Sequence, residues 1–229
     1  MTVVRPKVQR YYEIVEHYES CLERYGDSHL GVDWPNAEDA ELRHRIMLEL
    51  IPPAARSRRR VSLLDFGCGL SHLYEYIRRH GPANIAYAGL DISPKFISFA
   101  RAKFPRNRYY CVDILRDRRN VPHFDYVIMN GVFNEKRSLS FDEMFEYCQE
   151  VVRRVFSLAR GGVAFNVMSH HVDWQRDDLF HVPFDKLAAF LTRDVSRHVV
   201  FRADYGLYEY TAYVYRAPQG REKREMQQT

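Results

Sequence analysis

Apolar and polar positions change period along this chain, and the change divides it. Over residues 8–25, VQRYYEIVEHYESCLERY sets Val8, Tyr12, Val15 and Tyr18 or Cys21 at helical spacing. AEDAELRHRIMLELI repeats that period until Pro52 and Pro53 close it. Between them GDSHLGVDWPN predicts a loop. Past the basic run ARSRRR the pattern shortens: VSLLDF, IAYAGLDI, RYYCVDI, FDYVIMN, GVAFNVM, HVVFRADY and YTAYVYR predict seven strands. HLYEYIRRH, KFISFARAKF and SFDEMFEYCQEVVRRVFSLA predict helices among them. This alternation predicts an α/β fold, a doubly wound, mostly parallel sheet with helices on both faces. The last two strands are joined by GLYE with no helix, which predicts a terminal antiparallel hairpin at one end. The expected organisation is an N-terminal helical lid over residues 1–58, a core over 59–216 and a flexible tail over 217–229, where APQGREKREMQQT has no apolar face.

Composition narrows the class. The 229 residues suffice for one large domain with its own core, and 46% hydrophobic with 28% charged residues excludes bulk disorder. A net charge of +4 is too small for a nucleic-acid footprint. Cys21, Cys68, Cys111 and Cys148 form no C-x-x-C pair, so neither disulfides nor a metal is expected. With no apolar leader and no run of about 18 apolar residues, the expectation is a cytoplasmic protein without a membrane partner.

The chemistry gathers at predicted strand ends. LLDFGCGLSHL places Gly67 and Gly69 where an open sheet binds its ligand and where backbone can approach it closely. The phosphate loop G-x-x-x-x-G-K-[ST] is absent, and His72 stands where a dinucleotide loop needs glycine, so a nicotinamide oxidoreductase is disfavoured. Asp65 before the glycines suits a cationic amino group. Asp91, ending the next strand, can accept hydrogen bonds from both ribose hydroxyls of a nucleoside. Asp113 can take an adenine amino group, with Ile92 and Ile114 as apolar walls. Each acid alone reads as a turn residue, but the three in series point to one adenosyl ligand.

LLDFGCGLSHLYEYI, YAGLDISPKFISFARAKF, YYCVDI and FDYVIMNGVFN resemble the successive signature segments of class I S-adenosylmethionine-dependent methyltransferases, over roughly residues 61–162. The resemblance implies a seven-stranded sheet with the last strand antiparallel and S-adenosylmethionine as cofactor. Gly67 and Gly69 would pass under its methionyl part, with Asp65 near the amino group, Asp91 on the ribose and Asp113 with Ile114 at the adenine. Asn130 would contact the methionyl group and border the substrate. GDSHLGVDWPNAEDAELRHRIMLEL resembles, more loosely, a G-x-x-W followed by an Arg-bearing helix in small bacterial methyltransferases. Trp34 and Arg43 match it, implying Arg43 at the cofactor carboxylate and aromatic residues, Trp34, Tyr11 and Tyr12 among them, as a lid.

Methyl transfer is an in-line displacement in which positioning dominates, and a base is needed only if the acceptor must lose a proton. The candidate bases are His170 and His171 in NVMSHHVDW and His29 in the N-terminal loop. Asp173, Trp174, Trp34 and Phe133 are placed on the substrate side. NGVF lacks the Pro-Pro of base and amide N-methyltransferases, and no cysteine has a neighbouring base. ARSRRR and the arginines of 116–119 read as solvated basic surface rather than a phosphate site. The expected function is methyl transfer to an oxygen or nitrogen of a small molecule: a specialised metabolite, sugar or polar acid. A protein or RNA methyltransferase and a non-catalytic S-adenosylmethionine-binding regulatory module are the alternatives, with nucleic acid not expected as partner.

Overall fold

The computed structural model describes residues 10–57, 60–117 and 121–219. Its strands are β1 (Val61–Phe66), β2 (Ile85–Asp91), β3 (Arg108–Cys111), β4 (Phe124–Phe133), β5 (Ala159–Ser169), β6 (His181–Val182), β7 (His198–Arg202) and β8 (Glu209–Tyr215). They form one sheet in the order β3-β2-β1-β4-β5-β8-β7, with the two-residue β6 beside β5. β1 to β5 pair in parallel, and β8 runs antiparallel to both β5 and β7. This is the expected doubly wound sheet with one reversed strand. The reversed strand lies inside the sheet, however, and β7 takes the edge.

The helices are α1 (Tyr12–Tyr25), α2 (Ala37–Leu48), α3 (Pro53–Arg56), α4 (His72–His80), α5 (Pro94–Lys103), α6 (Phe141–Leu158) and α7 (Phe184–Asp194). Local chemistry sets several boundaries. Asn36 caps α2 by accepting from the Glu38 and Asp39 amides, and Ser93 caps α5 ahead of Pro94. Ser140 and Glu143 form a reciprocal capping box on α6. Two elements go beyond the sequence reading. The segment after Pro183 folds as α7, burying Leu187, Phe190 and Leu191, and β6 brings the strand total to eight.

Apolar side chains pack on both sheet faces. α6 lies against one face with Val127, Phe165 and Tyr210; Ile46, Met47, Leu50 and Ile51 from α2 and the residues after it lie against the other, with Leu63, Ile128 and Tyr213. The expected 1–58 lid is therefore two things. α1 and the 3-10 turn Leu30–Val32 roof the carboxyl ends of the strands, while α2 is a layer of the core. The boundary at 58 and most of the 217–229 tail lie outside the described residues. No helix among the described residues is long and apolar enough to cross a membrane.

Candidate active site

A cavity of about 150 Å³ lies at the carboxyl ends of β1, β2 and β4. Its floor includes Asp65, Gly67, Gly69, Asp91, Ile92, Asp113, Ile114 and Asn130, and its roof Tyr11, Val15, Tyr18, Val32 and Trp34. The parallel ladder explains the assembly, since Asp65 pairs with Gly89 and Asp91 with Cys111, so the carboxyl ends of neighbouring strands open side by side.

The acids have distinct surroundings. Asp65 is buried behind the glycine loop, where the Tyr87 hydroxyl donates to its Oδ2 at 2.7 Å. Burial pushes its carboxyl up to about 7, the Tyr87 bond opposing and the Asp91 charge adding. Asp91 accepts from the Gly69 amide on Oδ2 and the Ser93 amide on Oδ1, both at 2.9 Å, and so fixes the loop it serves. Burial lifts it to about 6 against those bonds. Asp113 lies two residues beyond the end of β3. Its Oδ2 accepts from Tyr11 at 2.5 Å and Tyr12 at 2.8 Å, and its Oδ1 from the Leu115 amide at 3.0 Å. Tyr12 does not line the cavity itself and reaches it through Asp113.

Gly67 and Gly69 have left-handed backbone (φ 72° and 47°), and a Cβ at Gly67 would fall 2.7 Å from Val132. At Asn130 the side-chain amide donates to His44 Nδ1 at 3.2 Å, while Oδ1 is buried with no hydrogen-bond partner among the described residues. Burial lowers His44 to about 3, so its ring is neutral. A buried acceptor without a donor is costly unless a ligand completes it. The amino group of S-adenosylmethionine is a donor of the required kind, so the residues present fit that cofactor.

β4 bulges after Met129, and Gly131 turns left-handed (φ 77°) there. The Gly131 amide donates to Asn166 Oδ1 at 2.8 Å, and Asn166 Nδ2 donates to Glu209 Oε1 at 3.0 Å. Arg43 Nε donates to Glu209 Oε2 at 2.8 Å. The Arg43 guanidinium lies 4.1 Å above the Trp34 ring, and a Cβ at Gly131 would sit 2.7 Å from that same ring. The contacts close a circuit through five residues. Tyr18 braces it by donating to the Gly131 carbonyl at 3.2 Å.

Several expectations need correction. Arg43 does not line the cavity, because buried Glu209 holds its Nε. Phe133 is fully buried, edge-on to Phe165 and Tyr147, and is a core residue. His170, His171, Asp173 and Trp174 are exposed and lie outside the cavity lining, with His171 stacked on Phe184 and Trp174 packed on Tyr208. His29 does not line it either; its Nδ1 donates to the Trp34 carbonyl and shapes the turn. The sequence reading missed His44, Gly131, Asn166 and Glu209. Asn166, a lone amide in the apolar strand GVAFNVM, was the available signal.

Residues 64–165 match the family model for a methyltransferase domain. A protein of Mycobacterium tuberculosis named as a methyltransferase, Rv1506c, is 28% identical over 158 residues, covering 68% of this chain and 93% of its own length. The chain carries a methyltransferase domain over residues 64–165, and its fold is the Rossmann-like methyltransferase fold. Two solved structures of this fold span nearly the whole chain. Magnesium protoporphyrin IX methyltransferase from Synechocystis, with bound cofactor, superposes with a TM-score of 0.62 at 14% identity, covering 95% of this chain and all of that one. The 1,6-didemethyltoxoflavin N1-methyltransferase of Burkholderia thailandensis gives 0.57 at 16% identity, over 93% and 92%.

Proposed function

We propose that the chain transfers the methyl group to an oxygen or nitrogen of a small molecule. The observation that carries this is the roof: Val15, Tyr18, Val32 and Trp34 line the cavity opposite Asn130, Gly131 and Val132, leaving a half-open, mostly apolar cleft. Such a cleft suits a compact acceptor. The two solved structures have small-molecule names, a magnesium porphyrin and a toxoflavin precursor, which supports the same class.

Within that reading, Asp91 holds the ribose, Asp113 with Ile92 and Ile114 the adenine, and Asp65, the glycine loop and Asn130 the methionyl end. The bound cofactor supplies an activated methyl on a sulfonium. The protein's part is to align the acceptor and keep the space dry. Burial lowers His44 to about 3, so it is a poor base at neutral pH, and an acceptor that already offers a lone pair suits this site. Basic residues do not favour an RNA acceptor: Arg60, Arg106, Arg108 and Arg160 rim a separate hollow at the amino ends of the strands, opposite the cofactor cavity. Arg58, Arg59, Arg118 and Arg119 lie outside the described residues. The test is titration with S-adenosylhomocysteine, with NADH as control, followed by methyl-transfer assays on amine, phenol, carboxylate and sugar acceptors beside bulk RNA and protein. Micromolar binding with turnover confined to small acceptors supports the reading, and turnover confined to macromolecules overturns it.

A further inference from the structure

Outside the cavity lining, between α1 and the turn before Trp34, three side chains of different chemistry converge. His17 and Cys21 stand one helical turn apart on α1 and so leave the same face. Asp33 comes from the opposing turn, where left-handed backbone (φ 57°) directs it back toward the helix. His17 Nε2 is 2.8 Å from Asp33 Oδ2 and 3.9 Å from Cys21 Sγ, and the three donor atoms lie within 4.8 Å of one another. All three residues are partly buried. An imidazole–carboxylate pair accounts for two of them and leaves the thiol unexplained.

We propose that His17, Cys21 and Asp33 bind a zinc-type divalent cation, with water in the fourth position. Tetrahedral zinc, with a bond of about 2.3 Å to sulfur and about 2.0–2.1 Å to nitrogen or oxygen, separates sulfur from nitrogen by about 3.6 Å and nitrogen from oxygen by about 3.3 Å. The sulfur then moves in by about 0.3 Å and the carboxylate out by about 0.5 Å. A thiolate, an imidazole and one carboxylate select a borderline-soft cation over magnesium or calcium. On binding, Cys21 releases its thiol proton to solvent, and the thiolate and Asp33 together neutralise the double positive charge. Because binding releases that proton, it strengthens as pH rises.

The position gives the ion a consequence. His17 precedes Tyr18, and Asp33 lies between Val32 and Trp34, all three of which line the cavity. A cation here ties α1 to the turn, the two halves of the roof. The site does not depend on the identity of the methyl acceptor, and it departs from the metal-free expectation drawn from cysteine spacing.

The chain is stripped of metal by dialysis against chelator and titrated with cobalt(II) as spectroscopic probe. The expected result is one equivalent bound, a thiolate-to-cobalt charge-transfer band in the near ultraviolet, tetrahedral bands in the visible, and bleaching of both by zinc. Cys21→Ser abolishes the charge-transfer band, and His17→Ala and Asp33→Asn each weaken binding at least tenfold. Circular dichroism checks the fold, and His17→Gln replaces His17→Ala if that variant does not fold. Absence of a charge-transfer band at stoichiometric cobalt, or its persistence in folded Cys21→Ser, overturns the proposal.

Discussion

Arg43 Nε lies 2.8 Å from Glu209 Oε2 across 166 residues of sequence, and the pair holds Trp34 on one side and the Gly131 bulge on the other. Glu209 is 2% exposed, so either partner left alone is a buried charge. Glu209→Ala is expected to cost about 3–5 kcal/mol, read by denaturant unfolding. Arg43→Gln should lower the melting temperature more than it lowers affinity for S-adenosylhomocysteine. A folded Arg43→Gln variant with normal melting and lost affinity would return Arg43 to the cofactor carboxylate.

Asp91→Ala should raise the dissociation constant for S-adenosylhomocysteine well over tenfold. The substitution removes the proposed ribose acceptor and also frees the Gly69 amide that Asp91 fixes. Calorimetry on the folded variant decides, and unchanged affinity refutes the ribose assignment.

Affinity should fall as pH drops below about 7 and further below about 6. Burial raises Asp65 to about 7 and Asp91 to about 6. The ligand favours the ionised forms, so binding is full above those values and declines as each acid takes a proton, by up to about tenfold per pH unit for each. In Asp91→Asn the lower step should vanish. A flat profile from pH 5 to 8 in the unmodified chain would contradict the roles of both acids.

Gly131→Ala should abolish turnover in a protein that still folds. Its methyl group would meet the Trp34 ring at a left-handed position, so the indole must leave the roof. Tryptophan fluorescence of the variant should report the displacement, and unaltered emission with unaltered turnover would exclude it.

His170→Ala and His171→Ala should each leave turnover within about twofold across pH, since neither side chain lines the cavity. A loss of the basic or acidic limb of the profile in either variant would restore a base at that loop.

The strand ends were legible because buried parallel strands are unbroken apolar runs, and each of the first two stops at an acid or glycine that lines the cavity. Asp65, Asp91 and Asn130 follow directly from that punctuation. What escaped depends on direction in space. Arg43 reads as a solvated helix residue until β8 supplies Glu209, and Glu209 itself reads as part of a turn. The adjacent pair His170–His171 carries no information about which way its loop faces. Phe133 reads as a substrate-side residue just past a strand end at Asn130, but β4 continues through the bulge to Phe133 and its ring is buried in the core. α7 has the periodicity of FDKLAAFLTRD and was readable; the two-residue β6 has no period at all.

The place of β8 between β5 and β7 bears on synthesis. A ribosome delivers this strand after every other one in the sheet, yet it is an interior strand and carries Glu209. Until it emerges, Arg43 and Asn166 have no shared anchor and the Gly131 bulge has nothing to hold its brace. A nascent product cut short before residue 209 would lose more than a frayed margin: its cofactor loop would be present but its roof unmoored. Sequence separation of this kind also slows folding. The roof of the cavity is therefore moored only once the last strand of the sheet has left the ribosome.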